Sequence, residues 1–312
     1  MSRSRAGYVV ALALGLLCWS TVPVFIRYLN EHLGNFTQNL YRYIAACVLL
    51  WVLSAALFRR YLSFGRGLIV LLGPMAVICV HQLLWVESIR LTSPTTASLL
   101  TQFQVVIVGL LAWVFFREER STILSARFVG GTALALVGVG GFILTSGEAL
   151  KGSVGGCFVV LLTAAVWAVY TIVAKAAIRG MHPVVAFTWV CTGVLVFFLV
   201  TTPVFGEPGK VLEVPVGVQV ALVVSGMIGI ALAHLFFYTA LSGLSAAVCG
   251  TSILVLPLLT GTWSYRVFKE KLSGVQVLFG VLLLVGAGLT LIRPKPSPSG
   301  PRPAPPVEGP PD

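Results

Sequence analysis

The sequence predicts an all-α membrane protein with ten transmembrane helices, arranged as two inverted five-helix repeats. Three observations support this prediction: an apolar composition, apolar blocks of membrane-spanning length, and motifs that recur in the second half of the chain. Of the 312 residues, 57% are hydrophobic and only 10% are charged, whereas soluble domains carry about 25% charged residues. So few charged residues cannot form a water-facing surface, and the lipid bilayer is therefore the expected surroundings of this chain.

The apolar blocks have the length that a helix needs to cross about 30 Å of hydrocarbon, roughly 18–25 residues. They cover residues 8–28, 36–58, 68–89, 95–116, 128–146, 154–177, 184–203, 217–240, 246–266 and 275–292. The short links between them make consecutive helices antiparallel neighbours. Residues 293–312 contain nine prolines and no apolar run, which predicts a disordered tail without a core.

The distribution of lysine and arginine predicts the orientation of the chain. If both termini are cytoplasmic, 13 of these residues fall inside and 7 outside, and Arg42 lies within a helix. Because positive residues favour the cytoplasmic side, this count predicts a multi-pass cell (inner) membrane protein with both termini and the tail in the cytoplasm.

Motifs of the first half recur in the second half at similar spacing. Trp19 and the basic residue Arg27 reappear as Trp167 and Lys175, and His81 has a counterpart near the same offset in His234. Residues 1–147 and 148–292 are therefore predicted to be two repeats. Each holds an odd number of spans, so the second copy must insert upside down. Inverted repeats are typical of secondary transporters, whose substrate site lies at mid-membrane where the repeats meet.

Five stretches carry a resemblance to a known family. They are Cys18–Pro23, Leu40–Ile44, Ser88–Leu100 with its counterpart Leu241–Ile253, and the pairs Glu119-Arg120 and Glu270-Lys271 ahead of glycine-rich helices. On these the chain resembles the drug/metabolite transporter superfamily in its ten-helix EamA-type branch, over about residues 8–292. The resemblance implies a transporter that exports amino acids or related amphipathic metabolites. In one departure, Gln104 replaces the helix-four proline whose helix-nine counterpart is Pro257, so a kink is expected only in the second half.

Polar and aromatic residues inside the predicted helices are the candidate substrate-binding groups. His81 and Trp85 share one helix face, and His234 and Tyr238 repeat the pair in helix eight. Polar groups in hydrocarbon normally face the bundle interior or a wet cavity, so the two faces are expected to oppose each other. The alternative is that each histidine bonds a nearby carbonyl and only fixes the packing.

The symmetric pair Trp19 and Trp167 lies deep in its helices, where it would form a cavity wall or pack in the core. Pro23, one turn after Trp19, predicts a bend in helix one. Aromatic walls suit a partly apolar substrate and allow cation–π contact with an ammonium group.

Uncharged polar groups at mid-depth extend the predicted site. Gln104 in helix four and Thr251 in helix nine are the candidates. On an ideal helix Gln102 points about 200° away from Gln104, so both cannot face one cavity.

Arg42 and Glu87 are the full charges well inside the first half. Their similar depth predicts a salt bridge between them, because a lone charge there is costly. Such a pair is either structural or takes part in coupling or substrate contact.

Several functional classes are disfavoured by what the sequence lacks. It has no P-loop and no HExxH motif, and its one aspartate lies in the tail. The basic residues are scattered between apolar blocks rather than clustered, which argues against nucleic-acid binding. We therefore expect no catalysis, no cofactor and no metal site.

The expected partners are a small-molecule substrate and the lipid bilayer. The glycine-rich helices five and ten predict close helix packing, and they also suggest a homodimer contact. The predicted function is secondary transport by alternating access. A nucleotide-sugar or sugar transporter of the same fold is one alternative, and a non-transporting membrane receptor or scaffold is another.

Overall fold

The computed structural model describes residues 5–61, 66–92, 97, 100–145, 154–179, 181–268 and 273–291. The predicted tail 293–312 and the Glu270-Lys271 pair lie outside these residues. The described chain is helical throughout, as the composition predicts. Its α-helices are α1 Arg5–Ser20, α2 Val22–Asn30, α3 Asn35–Leu57, α4 Leu72–Leu91, α5 Gln104–Phe115, α6 Arg120–Ile123, α7 Ala126–Leu144, α8 Val154–Ala177, α9 Pro183–Phe205, α10 Val216–Ser225, α11 Ala233–Gly243, α12 Ala246–Ser252, α13 Leu256–Phe268 and α14 Gly274–Leu291.

Non-α helical turns join several of these elements. A π-helical segment, Gly226–Leu232, connects α10 to α11 without a loop. The 3-10 segments are Arg59–Tyr61, Arg66–Leu71, Arg117–Glu119, Pro208–Leu212 and Ile253–Val255. Such local changes of helical pitch are frequent at functional sites, and two of these segments lie beside the central cavity described below.

Six helical stretches are long and apolar enough to cross a membrane. They are Arg5–Asn30, Asn35–Leu57, Leu68–Leu91, Gly155–Ala177, Pro183–Phe205 and Val216–Gly243. The bent pair Arg117–Ile123 and Ala126–Gly138 makes a seventh if it is one span. Three shorter apolar helices lie within the remaining predicted blocks. A multi-pass membrane protein is therefore confirmed, and the count of ten stays a prediction beyond these spans.

The two halves pack on each other in an exchanged pattern, in which two helices of the first half each contact the counterpart of the other rather than their own. Helix α1 packs on α11, and α4 packs on α8; in the repeat, α8 is the counterpart of α1, and α11 is the counterpart of α4. Three further contacts join counterparts directly: α3 with α9, α5 with α12, and α7 with α14. A two-fold axis that relates the two repeats produces this pattern. It places the motifs that recur in both halves around one centre.

The glycine faces of α7 and α14 contact each other within the chain. A Cβ atom at Gly138 would lie 2.5 Å from the backbone nitrogen of Leu283, and one at Gly286 would lie 2.4 Å from that of Ala135. The small residues therefore let two helix backbones approach closely. At Gly138 and Gly286 the glycine face is therefore used for packing within the chain, and a homodimer contact through these helices stays a prediction.

Helix one is interrupted close to Pro23, where the sequence predicts a bend. The helix is interrupted at Thr21, and Pro23 occupies the first turn of α2, where its missing N–H leaves no bond unmade. Helix four, where Gln104 replaces the proline, changes its backbone hydrogen bonding just before that residue. Residues Gln102 and Phe103 form a turn before α5 begins at Gln104, so the first half breaks at this level without a proline, much as Ile253–Val255 breaks the helix ahead of Pro257.

Candidate functional site

A cavity of about 110 Å³ lies between the two halves, at the level where helices four and nine are interrupted. Both repeats supply its walls. Seven of the ten residues singled out from the sequence line it: Trp19, Arg42, His81, Trp85, Gln104, Trp167 and His234. Further polar lining groups that the sequence analysis did not select are Gln82, Thr101, Gln102, Thr163 and Thr260.

Four aromatic rings form the centre of this cavity. The indole rings of Trp19 and Trp167 meet edge to face with centroids 5.2 Å apart. His234 lies 5.1 Å from Trp19, and His81 lies 4.9 Å from Trp167. Edge-to-face contacts at these distances are favourable. Each repeat thus contributes one tryptophan and one histidine, and the four rings pack across the boundary between the halves.

The ring of His234 is fixed in orientation. Its Nδ1 donates a hydrogen bond to the carbonyl oxygen of Ile230, 3.0 Å away, in the π-helical segment, and the ring of Phe187 stacks on it at 4.8 Å. This contact assigns the Nδ1–H tautomer to the neutral ring and leaves Nε2 as a hydrogen-bond acceptor. His234 Nε2, His81 Nδ1 and Trp167 Nε1 are buried with no hydrogen-bond partner among the residues that the structure describes.

Arg42 is the one charged residue among those that line the described cavity. Its side chain is buried, with the residue 1% exposed. Its Nε and Nη1 atoms have no hydrogen-bond partner within the described part of the chain. A buried guanidinium without a partner is costly, and such groups in membrane helices usually mark a functional site.

Two glycines of the π-helical segment make room for Arg42. A Cβ atom at Gly226 would lie 2.3 Å from the carbonyl oxygen of Arg42. A Cβ atom at Gly229 would lie 2.5 Å from Val22 Cγ2 and 3.9 Å from Arg42 Nη2. Because glycine has no side chain, the segment can lie directly against the α3 backbone at Arg42.

The predicted salt bridge between Arg42 and Glu87 is wrong. Glu87 instead pairs with Arg90, one turn further along α4, through bonds of 3.0 Å from Nε and 2.5 Å from Nη2. Both partners are accessible, with 65% of the Arg90 side chain and 29% of the Glu87 side chain exposed. Similar depth in the sequence did not place Arg42 and Glu87 on facing sides of their helices.

Tyr238 and Thr251 also need correction, because neither lines the cavity. The hydroxyl of Tyr238 accepts a hydrogen bond from Tyr170, 3.0 Å away in the core. The hydroxyl of Thr251 donates to the carbonyl oxygen of Ala247 in its own helix, at 3.0 Å. Both hydroxyl groups therefore form hydrogen bonds within the protein core.

Gln102 and Gln104 both line the cavity, contrary to the ideal-helix argument. That argument assumed a continuous α-helix with 100° between successive residues. At residues 102–105 the backbone nitrogens of Phe103 and Val105 bond three residues back, which changes this angle, and both residues line the same space.

A second buried polar cluster closes one end of the helix bundle, and the sequence analysis did not select it. The Glu119 carboxylate accepts hydrogen bonds from the backbone nitrogens of Ala246, at 2.9 Å, and Ala247, at 3.3 Å. Lys175 Nζ lies 3.7 Å from that carboxylate. It donates to the carbonyl oxygens of Leu241, at 2.8 Å, and Leu244. One ion pair therefore caps the end of α11 and the start of α12, and it links the first half to the second.

The comparisons with known proteins agree with this two-part architecture. The profile of the EamA-like transporter family matches the chain twice, over residues 6–144 and 154–292. The chain belongs to the EamA-like transporter family. The paired matches cover the two halves that pack in the exchanged pattern, and members of this family are transporters rather than enzymes.

Two relatives match this EamA-like transporter along almost its whole length. A protein of Haemophilus influenzae is 23% identical over 305 residues, covering 93% of this chain and 96% of that protein. A protein of Archaeoglobus fulgidus is 24% identical over 295 residues, covering 90% and 96%. Both are described as uncharacterized transporters. One crystal structure superimposes with a TM-score of 0.77 at 16% identity, covering 92% of this chain and 96% of that one, which supports the fold alone.

Proposed function

We propose that this EamA-like transporter moves a small organic metabolite, an amino acid or related amphipathic compound, across the cell membrane by alternating access, in the direction of export. The observation that carries this proposal is the central cavity, in which a tryptophan and a histidine from each repeat meet. A site shared by two repeats can open to either side when one half rocks against the other. The positive-residue count supports cytoplasmic termini.

The cavity favours a small substrate over the alternative of a nucleotide sugar. Its volume is about 110 Å³, and Arg42 is the single charged group among its lining residues. A pyrophosphate would call for more than one cationic partner. The aromatic rings offer apolar surface and polar ring edges, which suits an amphipathic metabolite.

Counterflow tests the proposal. The purified protein is reconstituted into liposomes that are loaded with each member of a panel of amino acids, sugars and amines, and uptake of the labelled compound is followed. We expect exchange of small amino acids or their relatives above the rate of protein-free liposomes. Exchange of sugars alone would support the sugar-transporter alternative. No exchange of any solute would favour a receptor or scaffold and contradict the proposal.

Replacing Trp167 locates the transport site. Trp167→Ala removes one ring of the central cluster and is expected to reduce counterflow by about two- to tenfold, because an aromatic contact is worth about 0.5–1.5 kcal/mol. Phe158→Ala is the matched control on the same helix, since this side chain is 66% exposed on the outer surface of α8. Equal rates for the two variants would contradict a role of the cluster in transport.

A further inference from the structure

The buried positive charge of Arg42 is not neutralised by the described part of the protein. The residue is 1% exposed, and its Nε and Nη1 atoms face no acceptor among the described residues. None of the cavity-lining residues is acidic, and Glu87 is occupied by Arg90. A buried charge is normally paired because desolvation is costly. A ligand bound in the cavity is a partner that would neutralise this charge.

The neighbouring polar groups narrow the nature of that partner. Trp167 Nε1 is a donor only, and it is buried at the cavity without an acceptor among the described residues. Together with Arg42, it provides N–H groups for a ligand that is rich in acceptor atoms. A carboxylate fits because a guanidinium binds its two oxygens through parallel hydrogen bonds. A positively charged amine would instead meet the like charge of Arg42.

The apolar lining and the volume of the cavity indicate the size and polarity of the rest of the ligand. The rings of Trp19 and Trp167 and the side chains of Ile230 and Leu256 present apolar surface. The volume of about 110 Å³ is less than that of an engineered apolar cavity of about 150 Å³ that holds one benzene molecule. The apolar part of the ligand is therefore small.

We propose that Arg42 binds the carboxylate of the transported compound, and that this carboxylate, rather than an amino group, is the feature the site requires. The substrate class is then a small carboxylic acid with a short apolar body, with or without an amino group. This inference rests on the proposed transport function and identifies the recognition group within the same cavity.

Three compounds that share the branched (CH3)2CH–CH group of valine separate the two polar ends of the substrate. Valine has both the carboxylate and the ammonium group, 3-methylbutanoate lacks the ammonium group, and 2-methylpropan-1-amine lacks the carboxylate. Binding of each to the full-length protein in detergent micelles is measured by titration calorimetry. We expect both acids to bind and the amine to bind at least about thirtyfold more weakly, because it leaves Arg42 unpaired.

Two variants connect the binding to Arg42. Arg42→Gln is expected to weaken the binding of both acids at least about thirtyfold. Arg42→Lys keeps the charge but loses the paired hydrogen bonds, so a loss of about tenfold is expected. The Lys variant serves as the reference for folding, checked by size-exclusion chromatography, and Glu87→Gln is the control for the loss of a charge away from the cavity.

The inference is overturned if the amine binds as tightly as the acids, if 3-methylbutanoate does not bind, or if Arg42→Gln leaves the affinities of the acids unchanged. Counterflow separates this failure from failure of the proposed function. Exchange of amino acids or amines that is insensitive to Arg42→Gln would leave the proposed transport function intact and remove the carboxylate assignment. Binding of the acids without exchange of any solute would keep the carboxylate assignment and contradict the transport function.

Discussion

Removal of the Glu119 carboxylate should destabilise the whole helix bundle. In Glu119→Ala, Lys175 stays buried without its counterion, and the backbone nitrogens of Ala246 and Ala247 lose their acceptors. At the 3.7 Å separation of Lys175 Nζ and Glu119 Oε1, the gross attraction is roughly 4 kcal/mol at an effective dielectric constant near 20. Breaking a buried pair by removing one partner costs about 3–5 kcal/mol. We expect a loss of about 3 kcal/mol.

Thermal unfolding in detergent, followed by intrinsic fluorescence, measures this loss. A decrease of 3 kcal/mol corresponds to a fall in Tm on the order of 5–10 °C for a chain of this size. Glu118→Ala is the matched control, because Glu118 is adjacent and pairs with Arg179 while both side chains are exposed, at 59% and 58%. Its Tm should stay within about 1 °C of the wild-type value, since exposed ion pairs contribute little.

The double variant Glu119→Ala/Lys175→Ala isolates the interaction between the two residues. Because each residue also bonds to helix ends, the two single losses are expected to be large and the double loss smaller than their sum. If Glu119→Ala lowers Tm no more than Glu118→Ala, or if the two single losses add without coupling, the capping ion pair does not stabilise the contact between the halves.

Two further predictions concern helix packing and the corrected ion pair. Gly138→Leu places a side chain where a Cβ atom would lie 2.5 Å from the Leu283 backbone, so a loss of about 2–3 kcal/mol is expected in the same unfolding assay. Gly140→Ala has nothing within 4 Å and should be neutral or stabilising by up to about 1 kcal/mol; a lower Tm for Gly140→Ala than for Gly138→Leu would contradict the close packing of α7 on α14. Glu87→Gln breaks only the accessible pair with Arg90, so counterflow should stay within about twofold of wild type, and a larger loss would restore Glu87 to the transport site.

The local features that follow from spacing along one helix were predictable from the sequence. Composition and apolar block length indicated a membrane protein, and Pro23 located the break in helix one. The recurrence of Trp19 and His81 as Trp167 and His234 identified the rings that meet at the centre. These inferences succeed because hydrophobicity and proline geometry act on the chain wherever it packs, and a repeat fixes which segments are equivalent.

Features that depend on which helix faces which could not be read from spacing. Arg42 and Glu87 have similar depth, but whether they meet depends on the rotation of α3 and α4, which is set by packing against α9 and α8. Gln102 reaches the cavity because the helix breaks at a position with no proline. The Glu119–Lys175 pair joins residues from the two halves, and neither residue lies near the other in sequence.

Composition and the recurring motifs are enough to identify a membrane protein of two related halves with an aromatic centre. The tertiary structure alone decided that Arg42 lines the cavity with no partner among the described residues, while Glu87 turns away to Arg90. The physical reason is that hydrophobic periodicity specifies how each helix lies in the bilayer, whereas the neighbours of a buried charge are specified by the packing of the helices around it. That packing leaves a single positive charge in the cavity between the halves.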